Sequence, residues 1–177
     1  AGGMDARGWR LDLPAPRRTR PDEWRVAVML DHEVCEVDRE LVDRLAAAVL
    51  ALGDLGVRLD WEARPDIDIP RQHDVYIALL RAATGTEASE EQYAALAHDA
   101  DRFDAGDRDY RARAARSVRM SHWEWAAFHA EREEARLAWD AFFDDYDALL
   151  CPTASSVAYP HDQEGERADR TITVNAR

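Results

Sequence analysis

A strand, a helix and a second strand, fitted into residues 24–61 with short connections, constrain this fold more than any other feature. Residues 24–30 (WRVAVML) are a short valine-rich run of strand type. Asp38 then stands where a helix N-cap is needed, and Val37 and Val42 have the spacing of a hydrophobic staple. Leu41, Leu45, Val49 and Leu52 recur at three- and four-residue intervals and predict one apolar stripe. Gly53 or Gly56 closes the helix, because glycine tolerates a left-handed cap. Residues 57–61 (VRLDW) follow as a second strand. Two strands joined through a helix run parallel in one sheet, with a right-handed crossover.

The rest of the chain is mostly helical in pattern. Residues 69–83 carry Val75, Leu79 and Ala82 along one side, and residues 107–118 form an arginine-rich helix. Ser89 with Gln92 and Ser121 with Glu124 are capping boxes that each open a helix. From the second of these, Trp125, Phe128, Arg132, Ala135, Trp139 and Phe142 keep a three-four rhythm as far as residue 143. Residues 147–151 (DALLC) read as a short buried strand stopped by Pro152, and an irregular polar tail follows. Three prolines and the Arg17-Arg18-Thr19-Arg20 cluster make residues 1–23 an extended, solvated connector, in which Trp9, Leu11 and Leu13 alternate as an edge segment would. These elements predict a three-layer α/β arrangement with an added helical subdomain.

Composition narrows the chemistry. With 177 residues, 46% of them hydrophobic, the chain is long enough for one domain with a core. A net charge of −13 disfavours nucleic acid and anionic membrane as partners, since both are polyanions. No apolar run is long enough to cross a membrane and no signal peptide is recognisable. All 23 basic residues are arginine, so every mechanism that needs a lysine base or Schiff-base lysine is excluded. Cys35 and Cys151, far apart and without zinc-finger spacing, are expected to be buried, inert thiols in a reducing cytoplasm. The opening Ala1-Gly2-Gly3, with Met4 as an alternative start, reads as a fragment or a processed product.

One family likeness rests on the order of several motifs. Residues 121–160 (SHWEWAAFHAEREEARLAWDAFFDDYDALLCPTASSVAYP) place Arg136, Trp139 and Phe142-Phe143 at the end of a long helix. Tyr146-Asp147, a Leu-Leu strand and Cys151-Pro152-Thr153 come next, and then Ala158-Tyr159-Pro160-His161-Asp162. Upstream, Trp9 to Pro14 leads into the Arg25-Val26-Ala27-Val28 strand. This order resembles the middle-to-C-terminal portion of the amidase signature family, most weakly over residues 84–110. The resemblance implies a partial three-layer α/β/α amidase-type sheet with a helical subdomain. Residues 1–23 are then the connector, and 24–153 the α/β portion with a helical insertion at about 69–143. Residues 154–177 are the irregular tail.

By the same resemblance, the full-length enzyme hydrolyses a small amide with a serine nucleophile, a second serine on a cis peptide and a lysine base. The serines belong to a Gly/Ser-rich stretch that this sequence does not contain. Its serines are Ser89, Ser117, Ser121, Ser155 and Ser156. No catalytic residue can therefore be carried over, no cofactor or metal is implied, and the chain is expected to be non-catalytic alone. Thr153, Ala154 and Tyr159, on the loop after the last strand, fall beside the family's substrate channel. Such loops at the carboxyl ends of strands line pockets in α/β folds.

Two other readings stand beside this one: a stand-alone binding or interaction module derived from an amidase, and an independent serine hydrolase using Ser155 or Ser156 with His161. A serine nucleophile needs a base within hydrogen-bond reach, and sequence proximity of His161 does not supply that geometry. His161-Asp162 and the His122/His129 pair lack the third ligand that a zinc site needs. Glu131, Glu133, Glu134, Asp140, Asp144 and Asp145 interleave with Arg132 and Arg136 as on a solvated, salt-bridged helix face. The Trp123, Trp125, Trp139 and Phe142 series is expected to be core packing. A sheet that lacks its remaining cover is also expected to expose apolar surface and to self-associate.

Overall fold

The computed structural model describes residue 8 and residues 12–85, 88–104, 106–107, 109–165 and 170–176. It is a mixed α/β chain. Three strands, β1 (Arg25–Val28), β2 (Arg58–Asp60) and β3 (Ala148–Leu150), form one sheet in the order β2-β1-β3. Both pairings are parallel, with Val26 opposite Leu59 on one side and Ala148 on the other. The strand-helix-strand reading of residues 24–61 therefore gives the parallel pair it predicted.

Helix α1 (Arg39–Asp54) joins β1 to β2 and covers one face of the sheet. Asp38 caps it, its side chain accepting from the Glu40 amide. Val28, Leu30 and Val49 are the buried centre here, with Val42, Leu45, Ala46, Leu59 and Leu150 packed around them. The inward stripe is thus Val42, Leu45, Ala46, Val49 and Gly53 rather than the expected Leu41, Leu45, Val49 and Leu52. Leu41 is only half-buried and Leu52 is exposed. Gly53 faces β2 at the end of this stripe, where a Cβ would come within 3.2 Å of Leu59 Cδ1. The helix ends in a Schellman pair, Gly56 N–H to the Gly53 carbonyl and Val57 N–H to the Leu52 carbonyl. Gly56, at φ +97°, is the left-handed residue there.

The remaining helices are α2 (Ile69–Gly85), α3 (Glu90–Ala100), α4 (Tyr110–Val118) and α5 (His122–Asp145). α2 packs on both α4 and α5, and α3 packs on α4. Val75, Ile77, Ala78 and Leu79 form the buried part of α2, while Ala82 is half-buried. Both serine capping boxes form: Ser89 Oγ accepts from the Gln92 amide and Ser121 Oγ from the Glu124 amide. α4 starts at Tyr110 rather than 107, because Asp109 takes the N-cap and accepts from the Arg111 amide.

The second face of the sheet meets the end of α5. Ala27 and Asp60 are opposite one another and point away from α1, and Tyr146, just past α5, reaches Asp60 from that side. Val26, Ala27 and Val28 are all buried, so β1 is covered on both faces.

Several expectations need correction. β3 is half-buried rather than buried, because it is an edge strand among the described residues. Cys35 and Cys151 are exposed, unpaired thiols, both on loops at strand ends. Trp123 lies on the outer side of the first turn of α5 and is 80% exposed, so it is not core. Leu13 is exposed and does not act as an edge contact, while Trp9 and Leu11 lie outside the described residues. The Arg17–Arg20 cluster is exposed but not free. Arg17 donates to the Phe143 carbonyl at 3.0 Å, and Arg17 and Arg18 both approach Asp147. Cations suit the carboxyl end of a helix, where unpaired carbonyls gather. Among the described residues, no helix is long and apolar enough to cross a membrane.

Candidate functional site at the carboxyl ends of the strands

β1 has its sequence neighbour β2 on one side and the distant β3 on the other. In open parallel sheets, such a reversal places a crevice at the carboxyl ends of the two strands concerned. Here that end is built from residues 29–38, after β1, and residues 151–157, after β3. The Met29 amide bonds to the Leu150 carbonyl at 2.9 Å, which carries the pairing one residue beyond β1.

The two loops then meet at the N-terminus of α1. The Asp38 amide donates to the Ser155 carbonyl at 2.7 Å, and Cys35 Sγ lies 3.3 Å from Ser155 Oγ. Asp31 Oδ1 accepts from the amides of His32 and Val37 and so shapes the first loop. His32 Nδ1 accepts from the Val34 amide at 3.3 Å, which assigns the ring proton to Nε2 in the neutral form. The tail closes the site. Asn175 Oδ1 accepts from the Arg39 amide at 2.8 Å, and its Nδ2 donates to Glu36 Oε1 and the Val37 carbonyl. One side-chain amide thus ties residue 175 to the first turn of α1 and satisfies one of that helix's unpaired amides.

The sequence-derived candidates lie on the loop after β3. Thr153, Ala154 and Tyr159 are exposed there. Ser155 and Ser156 are half-buried. Ser155 Oγ is beside the Cys35 thiol, and Ser156 Oγ donates to the Val157 carbonyl at 3.1 Å. Neither is hydrogen-bonded to His161 among the described residues, so neither serine has there the base that a nucleophile needs. Asp31 and Asn175 belong to this loop cluster without a sequence signal for it, and Cys35, expected only as a buried, inert thiol, belongs to it too. Asp31 acts locally, on the amides of His32 and Val37, but the other two have distant partners: 120 residues separate Cys35 from Ser155, and 136 separate Arg39 from Asn175. No local pattern marks such a contact.

Elsewhere, His122 and His129 both stack on Trp125, at 6.1 and 5.0 Å between ring centroids. Among the described residues, no three His, Cys, Asp or Glu side chains gather to hold a metal. Part of the acidic series on α5 is salt-bridged as its sequence pattern predicts, at Glu133 and Asp140, while Glu131 pairs outside the helix. Glu133 and Asp140 flank Arg136, and Glu131 takes Arg71 of α2 in a bidentate pair. The Arg71 hydrogen bonds hold the Glu131 carboxyl below its ordinary range. This pair joins α2 to α5 rather than performing acid/base chemistry.

No family model matches the chain, and neither a curated protein nor a solved structure matches it.

Proposed function

We propose that this chain is the middle-to-C-terminal portion of an amidase signature enzyme, contributing to hydrolysis of a carbon–nitrogen amide bond in the full-length protein and non-catalytic by itself. One observation carries the reading. The two sequence motifs that resemble the family, Arg25-Val26-Ala27-Val28 and Tyr146-Asp147 with its Leu-Leu strand, are adjacent parallel strands in one sheet. Asp147 sets their register: its amide donates to the Arg25 carbonyl at 2.8 Å, and its carboxylate accepts from the Arg25 amide at 2.9 Å. Motifs 122 residues apart in sequence, read from a family order, thereby become one structural unit.

On this reading the small sheet is part of a three-layer α/β/α amidase domain, with residues 69–143 as its helical insertion. Thr153, Ala154 and Tyr159 line the approach of a small amide. The nucleophile, its partner serine and the lysine base come from a Gly/Ser-rich segment outside this sequence, which contains no lysine at all. Arginine does not replace that lysine, because its guanidinium stays protonated at working pH. The free thiols of Cys35 and Cys151 fit a cytoplasmic enzyme. Exposed Trp24, Trp61, Leu50 and Leu55 support self-association or cover by further chain. The stand-alone interaction module shares that surface. The independent serine hydrolase has less support, since Ser155 and Ser156 bond elsewhere than to His161.

The test is to read the coding DNA on both sides of this sequence. A continuous frame upstream with a Gly/Ser-rich stretch, paired serines and a lysine is the expected result. A frame without them overturns the proposal in favour of the interaction module.

A further inference from the structure

The arginine-rich helix α4 has no role in the amidase reading, and it forms one wall of a cleft. The cleft lies between α2, α4 and α5 and has a volume of about 640 Å3, within the range of small-molecule sites. Its walls carry Arg71, Arg113, Arg116 and Arg119, and Met120 and Phe128 give it an apolar part. Residues 110–119 hold four arginines and no acid, in a chain of net charge −13.

The charges of this cleft are unevenly matched. Arg71 is held bidentately by Glu131, Arg113 by Asp74 at 2.9 Å, and Arg119 by Asp101. The carboxylates that line the cleft are also committed. Asp74 takes Arg113, Asp107 accepts from the Asp109 amide, and Glu124 is bound by the Ser121 amide and hydroxyl. Arg116 differs. Its two terminal nitrogens donate to the backbone carbonyls of Asp104 and Asp107, and among the described residues no carboxylate lies at ion-pair distance from it. Those carbonyls orient the guanidinium without neutralising it, and a guanidinium has five N–H donors. Arg71 lies over the Phe128 ring, 5.2 Å from its centroid, so cation and apolar surface adjoin.

We propose that this cleft is a binding site for a small organic monoanion, a carboxylate carrying an aromatic or alkyl body. The carboxylate pairs with Arg116, in the bidentate geometry that suits guanidinium. The apolar body lies against Phe128 and Met120. The three acids in the walls repel a dianion or polyanion, which excludes a phosphate ester or nucleic acid as the preferred ligand. The inference stands on α4 and its neighbours alone and does not depend on the amidase reading.

Calorimetric titration of the whole 177-residue chain with benzoate, and with benzamide as its neutral isostere, tests this. Benzoate is expected to saturate one site, with affinity that falls as salt is raised. Benzamide and the Arg116→Gln variant are expected to weaken binding by about tenfold or more, the scale of one charge-assisted hydrogen-bond pair. Phe128→Ala is expected to weaken benzoate while leaving acetate unchanged. That variant decides the matter should Arg116→Gln lose the native circular dichroism. No saturable benzoate binding, equal binding of benzamide, or benzoate binding unchanged in a folded Arg116→Gln or in Phe128→Ala overturns the proposal.

Discussion

The Tyr146 hydroxyl donates to Asp60 Oδ2 at 2.6 Å, joining the end of α5 to the edge strand β2 across the face of the sheet that α1 leaves open. Arg25 lies over the same phenol ring, 4.7 Å from its centroid. The Tyr146 hydrogen bond, with help from the Glu62 and Ala63 amides, holds the Asp60 carboxyl below its ordinary range. The Asp60 bond in turn pushes the phenol up. The signs are opposite in the two limbs of a pH profile. Asp60 contributes stability that is present above the ordinary carboxylate range and is lost as pH falls through its lowered value. Tyr146 contributes stability that is present below the ordinary phenol range and is lost as pH rises through its raised value. In Tyr146→Phe the alkaline contribution should vanish and the acid-limb loss due to Asp60 should shrink, because its folded-state carboxyl moves back toward the ordinary range. Urea unfolding from acid to alkaline pH checks this, and superimposable profiles for the two proteins would contradict it.

Gly56 and Ala176 both occupy the left-handed region, at φ +97° and +62°, and opposite substitutions there should act oppositely. Gly56→Ala places a Cβ 3.3 Å from that of Asp22 and should destabilise by about 1–2 kcal/mol. Ala176→Gly relieves a non-glycine left-handed residue and should leave stability unchanged or raise it by up to about 1 kcal/mol. Thermal melts of the two variants, followed by circular dichroism, give the comparison.

Removing the side-chain amide in Asn175→Ala leaves the Arg39 amide without its acceptor. The expected cost is about 1 kcal/mol, the usual scale for losing a helix N-terminal acceptor. Hydrogen exchange at Arg39 should quicken while exchange in β1 stays slow. Unchanged exchange at Arg39 would show that the tail does not hold the first turn of α1.

Large apolar side chains stand exposed near the β1/β2 end and on α1: Trp24, Trp61, Leu50 and Leu55. Sedimentation of the purified chain should show concentration-dependent association, together with binding of an apolar-surface dye. A monodisperse monomer that binds no dye contradicts this despite the charge of −13.

What was legible in the sequence was local. Asp38, Ser89 and Ser121 announce helix starts because each caps an amide two or three residues away. The parallel β1/β2 pair was legible because one helix with short loops must bring the strands together. What was not legible depended on distant neighbours. Which residues of α1 face inward depends on how Val28, Leu59 and Leu150 of the strands meet them, and no pattern within the helix records that. β3 has the composition of a buried strand, but its burial depends on what lies beside its outer edge. Trp123 keeps the company of core aromatics on α5, yet the helix begins beyond the body it packs on. The contacts of Cys35, Ser155 and Asn175 around the N-terminus of α1 exist only once three separate segments meet.

Ammonia release from a panel of aliphatic and aromatic amides tests the central claim most directly, measured on the purified chain and on whatever longer protein its reading frame proves to encode. Amide hydrolysis needs an activated nucleophile, an acceptor for its proton and donors for the oxyanion. The amidase reading predicts turnover by the longer protein and none above background by the 177-residue chain. Turnover by the chain alone, abolished by Ser155→Ala or Ser156→Ala, would contradict it and make the loop after β3 an active site in its own right.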